Sequence, residues 1–369
     1  MVLNPPLILV SALFFLALSS VLYLGSWLAA TLVLRVGARQ ISHAGAKRIL
    51  MAALLLPPVL AGVPTIAGAT LHHSHARPSI EHHSMLCQQM FAHFLDVTSV
   101  HGNVAAGLIA NGTAWLSVAL GLVMLFRLLA ATIRLERELA PFMLSPSPKL
   151  AHAMGRVAER MPSLNMGQFS ECAIPASYSS VLGLFRVRCV LSRAFVSEAT
   201  DDELEAVVAH EAGHLRYGDV RSTFMVGALN CLFFTLRPVR LLSRRWREAA
   251  ELACDDAAVA ATGKPLAMAS AILRVSGIPV TTPNVHRALP ATSLAFADEA
   301  ACAPGRRVER LMSQAQSAGL PALGDAPGQA IGGWILTIFL AGLGIAVLVS
   351  AQAVCFAHCS LELVERLFP

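Results

Sequence analysis

The polar and apolar positions divide the chain into long uncharged runs and one amphipathic stretch between them. Pro6–Leu34, Ile49–Leu71, Val104–Phe126 and Ile331–Ala357 contain no charged residue. Each meets the roughly 20 apolar residues that a membrane-spanning helix needs. The first run lacks a basic leader and is too long for a signal peptide, so it reads as a span. Pro57, Pro58 and Pro64 in the second predict a kink that neighbouring helices can satisfy. Between the third and fourth runs the pattern changes. A helix continues from the third span through Arg134 and Glu138 and stops at Pro141 and Ser145-Pro-Ser-Pro-Lys149. A helix around Leu150–Arg160 follows. The stretch 167–196, rich in β-branched and aromatic residues and broken by Pro175 and Gly183, predicts two or three short strands.

Helical spacing then returns. Thr200-Asp-Asp-Glu203 is a capping box, in which side chains take up the free amides of the first turn. Leu204, Val207, Val208, Glu211 and Leu215 share one face of the helix that follows. Gly218 ends it, and Asp219 is placed to cap the next. Ser222–Leu236 is apolar but short for a span, which predicts a buried or membrane-dipping helix, with a soluble core helix as the bland alternative. Arg237, Arg240, Arg244, Arg245 and Arg247 behind it suit an anionic membrane surface. Residues 245–263 form a strong helix pattern ended by Gly263, and 314–330 reads as a linker.

Composition agrees with the apolar runs. The 369 residues are 55% hydrophobic and 14% charged, with a mean hydropathy of +0.61. An ordinary soluble domain carries about 25% charged residues. The chain therefore reads as an integral membrane protein with the lipid bilayer as a partner. The net charge of +5 is modest, and no basic-aromatic run points to direct nucleic-acid binding. Arg35, Arg39, Lys47 and Arg48 lie between spans one and two, and only Arg77 between two and three; Arg127, Arg134 and Arg137 follow span three. The positive-inside rule then places 35–48 and 127–330 in the cytoplasm and 71–103 outside. Cys172, Cys189, Cys231, Cys254 and Cys302 fall on the reducing side and are expected as free thiols. Cys87, Cys355 and Cys359 fall outside, where a bridge and unpaired small residues are both open readings.

The chemistry concentrates in His210-Glu211-Ala212-Gly213-His214. Residues four apart share a helix face, so His210 and His214 can point two imidazoles at one ion. Glu211 lies beside them, placed to take a proton from the attacking water and pass it to the leaving amine. Random placement would yield this pattern in roughly 0.02 of such chains, and the helix context lowers that further. The bland alternative is a pair of surface histidines. A catalytic zinc site needs a third protein ligand. Glu248, Glu251 and Asp255 share one face of the 245–263 helix, and spacing alone does not choose among them. One acid is expected to bind the metal while another orients a ligand histidine. Tyr217, Arg247 and His286 are candidates to stabilise an oxyanion.

"HEAGHLRYGD" followed by "EAAELACDDAAV", with "GLFRVRCVLS" before and "RRVERLM" after, resembles the integral-membrane gluzincin peptidases. The likeness is greatest to the BlaR/MecR-like antirepressor peptidases and more distant to the HtpX and CAAX-prenyl-protease group. It covers about 140–315. It implies one catalytic Zn2+ held by His210, His214 and Glu251, with Glu211 as base and Asp255 behind the ligands. It further implies that a strand before the metal helix binds substrate by strand addition, which points to Arg186, Val187, Arg188, Cys189 and Val190. Backbone pairing of that kind holds any peptide extended.

The expected architecture is a mostly α membrane protein with about four transmembrane helices. A cytoplasmic α+β zincin-like metallopeptidase domain lies between spans three and four. The divisions are 1–135 (membrane region), 136–315 (peptidase), 316–330 (linker), 331–357 (fourth span) and 358–369 (tail). The expected activity is zinc-dependent endopeptidase cleavage of a protein or peptide at the cytoplasmic face of a bacterial inner membrane. A transcriptional repressor or a damaged membrane protein is the expected substrate. The BlaR/MecR receptors carry an external penicillin-binding domain after their last span. This chain ends at Pro369, and β-lactam sensing by that route is not carried over.

Outside the peptidase region, His72, His73, His75, His82, His83, His93 and His101 form a histidine-rich external loop. It reads either as a metal or pH sensor or as a polar loop in which histidine is incidental. Two other functions remain open: a metal-responsive receptor that signals without cleaving, and a metal transporter. An intact His-Glu-x-x-His disfavours the first, and spans free of ionisable residues disfavour the second.

Overall fold

A computed structural model describes residues 5–38, 40–73, 104–162, 165–173, 179–276 and 304–317. The fourth apolar run, most of the histidine-rich loop and His286 lie outside the described residues. Three long helices come first: α1 (Pro5–Val36), α2 (His43–His73) and α3 (Val104–Leu139). Stretches long and apolar enough to cross a membrane lie at Leu18–Val36 in α1, at His43–Gly62 in α2 and at Leu116–Phe142, which begins in α3 and ends just past it. With 32, 31 and 36 residues they are longer than a bilayer requires. At 1.5 Å per residue they reach about 45–55 Å, against a hydrocarbon core of about 30 Å.

The second half of the molecule contains β1 (Met143–Leu144), α4 (Pro148–Arg160), β2 (Phe169–Cys172), β3 (Ser179–Leu182), β4 (Arg188–Ser192), α5 (Arg193–Glu198), α6 (Asp201–Tyr217), α7 (Asp219–Leu232), α8 (Arg237–Thr262), α9 (Pro265–Ser276) and α10 (Pro304–Ser317). Three strands emerge from 167–196, as its composition predicts, and β1 adds a fourth. The sheet order is β1-β2-β4-β3, with β2 and β4 parallel and the outer pairs antiparallel. Gly183 makes the β3–β4 turn possible. Its φ is +96°, and a Cβ there would meet the Arg186 carbonyl oxygen at 2.2 Å.

This topology corrects one expectation. Arg188, Cys189 and Val190 lie in β4, an inner strand hydrogen-bonded to β2 on one side and β3 on the other. Arg186 and Val187 belong to the turn before it. Backbone groups already paired on both sides cannot accept another strand. Among the described residues, the edge next to the metal helix is β3. The resemblance pointed to the strand that precedes the metal helix in sequence, and that strand, β4, is central and buried.

The capping box forms as read. The Thr200 hydroxyl accepts from the Glu203 amide at 3.2 Å, and the Glu203 carboxylate accepts from the Thr200 amide at 2.8 Å. Gly218 closes α6 in the left-handed region at φ 68°. Asp219 does not cap α7, as its spacing suggested; Gly218 takes that place without a side-chain bond, and the Asp219 carboxylate turns inward. Helix α10 continues to Ser317, past the expected domain end at 315.

Two apolar cores form, one within the second half and one that joins it to the long helices. One joins α4, β2, β4, α6, α9 and α10 around Leu150, Phe195, Leu204 and Leu311. The other joins α1 and α2 to the α7–α8 hairpin through Tyr23, Leu50, Leu54, Leu242 and Trp246. Phe233, just after α7, meets the ring edge of Tyr23 at 5.1 Å and Phe15 at 6.2 Å. The apolar 222–236 stretch therefore packs among the long helices. Gly121 of α3 lets α7 approach, since a Cβ there would stand 3.2 Å from the Cys231 carbonyl oxygen. Cys172, Cys189, Cys231 and Cys254 are buried, and none of them is in a disulfide.

Candidate metal centre

Helix α6 is buried along most of its length, with His210 and Glu211 each 6% exposed. Its neighbour α8 lies close because residue 213 is glycine: a Cβ there would stand 3.2 Å from Sγ and 3.4 Å from Cα of Cys254. The close approach brings Glu251 opposite the two histidines. Nε2 of His210 and Nε2 of His214 are 3.2 Å apart. Glu251 presents Oε2 at 3.6 Å from the first and Oε1 at 3.5 Å from the second. Ligands about 2.0–2.2 Å from a tetrahedral zinc stand about 3.3–3.6 Å from one another. The residues present fit that group.

The far side of each histidine explains why these atoms converge. Nδ1 of His214 is 2.8 Å from Oδ2 of Asp219. Nδ1 of His210 is 3.0 Å from Oδ1 of Asp255, although the contact is off the ideal hydrogen-bond line. A carboxylate beyond Nδ1 fixes the ring and leaves Nε2 as the metal-binding atom. Both Nε2 lone pairs then face each other and a carboxylate, an arrangement that calls for a cation between them.

Arginines from α10 give the three acids on α8 different partners. Arg307 grips Asp255 with two hydrogen bonds of 2.9 and 2.7 Å and reaches Glu251 at 2.8 Å. Arg306 pairs with Glu248 at 3.0 Å. Arg310 pairs with Asp256, which also meets His43 of α2 at 2.7 Å. Glu248 is thus turned to another partner, and Glu251 alone of the three faces both Nε2 atoms.

Burial acts to raise the pKa of Asp255, but the close approach of His210 and the grip of Arg307 overcome it and hold the carboxyl well below its usual range. Glu251 is also lowered: burial opposes ionisation, and Arg307, His214 and His210 outweigh it. Burial disfavours the charged form of His214, yet Cys254, Asp219 and Glu251 together raise its pKa well above the ordinary value. A metal bound there would compete with protons for these groups. Burial pushes the Cys254 thiol up to about 11.

Glu211 faces a cavity of about 510 Å³ that also exposes His210, His214 and Glu251. Its Oε1 accepts a 2.5 Å hydrogen bond from the Ser179 hydroxyl, at the start of the edge strand. One wall of the cavity is β3 and its turn, another is α9 through Met268 and Ile272, and a third is α3 through Leu128, Thr132 and Leu135. Glu136 of α3 accepts from the Leu184 amide at 3.0 Å, tying the long helix to the β3–β4 turn. Tyr217 and Arg247 are not among the residues lining this cavity. Tyr217 instead lies under Lys47, whose Nζ is 4.5 Å from the ring centre.

Ser179, Asp219, Arg307 and Lys47 are the residues whose part sequence reasoning missed. Arg307 lay in a quoted motif and Asp219 five places after His214, but neither spacing declared a partner. Lys47 and Ser179 carried no local signal.

The long apolar helices and this convergence of histidines and acids define a membrane protein with the architecture of a metallopeptidase. The chain belongs to the BlaR1 peptidase M56 family, whose model matches residues 18–295. It is also 30% identical over 112 residues to the plastoglobule-localized metallopeptidase 48 of Arabidopsis thaliana, a match covering 28% of this chain and 33% of that protein. The chain thus spans about a third of that relative's length.

Proposed function

We propose that this protein is a membrane-embedded, zinc-dependent endopeptidase that cleaves protein substrates at the cytoplasmic face of a bacterial inner membrane. The observation that carries the reading is the convergence of His210 Nε2, His214 Nε2 and a Glu251 carboxylate at 3.2–3.6 Å, with Glu211 on the same cavity. A zinc ion held by His210, His214 and Glu251 would supply Lewis-acid polarisation of the scissile carbonyl and a lowered pKa for water. Glu211 takes the proton of the attacking water and returns it to the leaving amine. Ser179 keeps the Glu211 carboxylate aimed into the cavity. Asp219 and Asp255 hold the imidazole rings, and Arg307 fixes Asp255 and Glu251.

Substrate adds as an extended strand along β3, Ser179–Leu182, whose outer side has no strand partner among the described residues. The wall formed by α3 places that groove beside a membrane helix. A segment near the bilayer, in a repressor or a damaged membrane protein, suits such a cleft. The decisive experiment compares proteins cleaved in cells by the wild type and by Glu211→Gln. Substrates that accumulate uncut only in the variant support the reading. An unchanged repertoire, with zinc retained in both, transfers the case to a receptor that signals without cleavage.

A further inference from the structure

Each candidate metal histidine is backed by a carboxylate, and each carboxylate is backed by a cation. For His210 the series is Asp255 and then Arg307, with the cation supplied by α10. For His214 it is Asp219 and then Lys47, with the cation supplied by α2, one of the membrane helices. Lys47 is 7% exposed and Asp219 4%. A buried ammonium is costly unless it is paired. Lys47 has two compensations: the ion pair to Oδ1 of Asp219 and the face of Tyr217. Both carboxylate oxygens of Asp219 are thereby assigned, Oδ1 to Lys47 and Oδ2 to Nδ1 of His214. The Cys254 sulfur, 3.7 Å from Oδ2, closes the remaining side.

We propose that Lys47 is a positioning residue for the metal centre: by holding Asp219 through Oδ1, the second membrane helix fixes the ring of His214 and so sets zinc affinity. The proposal rests on the zinc reading above. Its physical basis is the geometry of a carboxylate with one anchored oxygen. With Lys47 in place, rotation of Asp219 breaks a buried ion pair. Without it, the carboxylate turns freely and is a buried charge lacking its cation. The ring it orients then loses its alignment. The membrane helix is in this sense part of the metal centre.

The test is a double-mutant cycle on zinc affinity, measured by chelator competition with the full chain in detergent micelles. Loss of a group behind a metal ligand typically weakens affinity about 10–100-fold. Asp219→Asn and Lys47→Met should each fall in that range, and Lys47→Arg should keep most of the affinity. The double variant should bind zinc no more weakly than Asp219→Asn alone, because Lys47 acts only through Asp219. If Lys47→Met does not fold, the double variant, which leaves no unpaired charge, carries the comparison against Asp219→Asn. Wild-type affinity in Lys47→Met overturns the proposal. So does a further loss in the double variant, which would give Lys47 a merely structural part. His210→Ala is the separate control: undiminished zinc affinity there removes the zinc reading itself.

Discussion

The hydroxyl of Ser179 donates to Oε1 of Glu211 at 2.5 Å, which joins the first residue of the sheet edge to the residue read as base. In the function proposed above, substrate pairing and proton transfer share one fixed frame. Glu211→Gln should cut peptide cleavage by about 10²–10⁴-fold while leaving zinc content near wild type. Ser179→Ala should lower the rate less, again at full zinc content. Single-turnover cleavage beside metal analysis checks both, and substantial turnover in zinc-loaded Glu211→Gln removes the residue from its role.

Arg306 holds Glu248 at 3.0 Å, whereas Glu251 faces Nε2 of both histidines. Glu251→Ala should consequently lose bound zinc, because the site becomes short of both charge and coordination. Glu248→Ala should retain it. Elemental analysis of the purified variants decides, and the reverse pattern would mean that the wrong acid has been chosen.

Glu203 ties the start of α6 to α9. Its carboxylate accepts from the Ser270 hydroxyl at 2.5 Å, pairs with Arg274 at 3.1 Å and completes the capping box. Burial favours the neutral acid, but Ser270, the Thr200 amide and Arg274 prevail and lower its pKa. A group whose pKa is lowered on folding stabilises the fold above its unfolded value, here about 4.3. That contribution disappears as pH falls through the folded value. Glu203→Gln should lose about 1–3 kcal/mol at pH 7. The gap to wild type should narrow below about pH 4. Thermal unfolding at both pH values measures it, and a gap independent of pH would contradict the account.

The loops between the long helices differ in Lys and Arg, and His43 and Lys47 at the base of α2 pair with Asp256 and Asp219 of the peptidase half. The 35–48 loop and the metal centre thus share a side. A reporter fused after Lys149 should behave as cytoplasmic, and one near Ser84 as external. Inverted reporter signals would place the peptidase half outside and exclude cytoplasmic substrates.

The sequence by itself determined what depends on neighbours along the chain. Apolar runs announced the three described long helices, since a bilayer demands a length that composition reveals. The Thr200 capping box, the Gly218 and Gly263 stops and the His210–His214 pair are local, because helix geometry fixes residues three or four apart. Only the tertiary structure decided which acid faces the histidines. Glu248, Glu251 and Asp255 are equivalent by spacing, and arginines some fifty residues away on α10 divide them. The same holds for the sheet edge: the resemblance pointed to the strand just before the metal helix, whereas strand order rests on pairing between segments, which makes β4 central and β3 the edge. Lys47 shows the limit most plainly. It stands 172 positions from Asp219, and no periodicity links a membrane helix to the carboxylate behind His214. Their meeting follows from the packing of α2 against α8, where buried charges remain only when each finds its opposite.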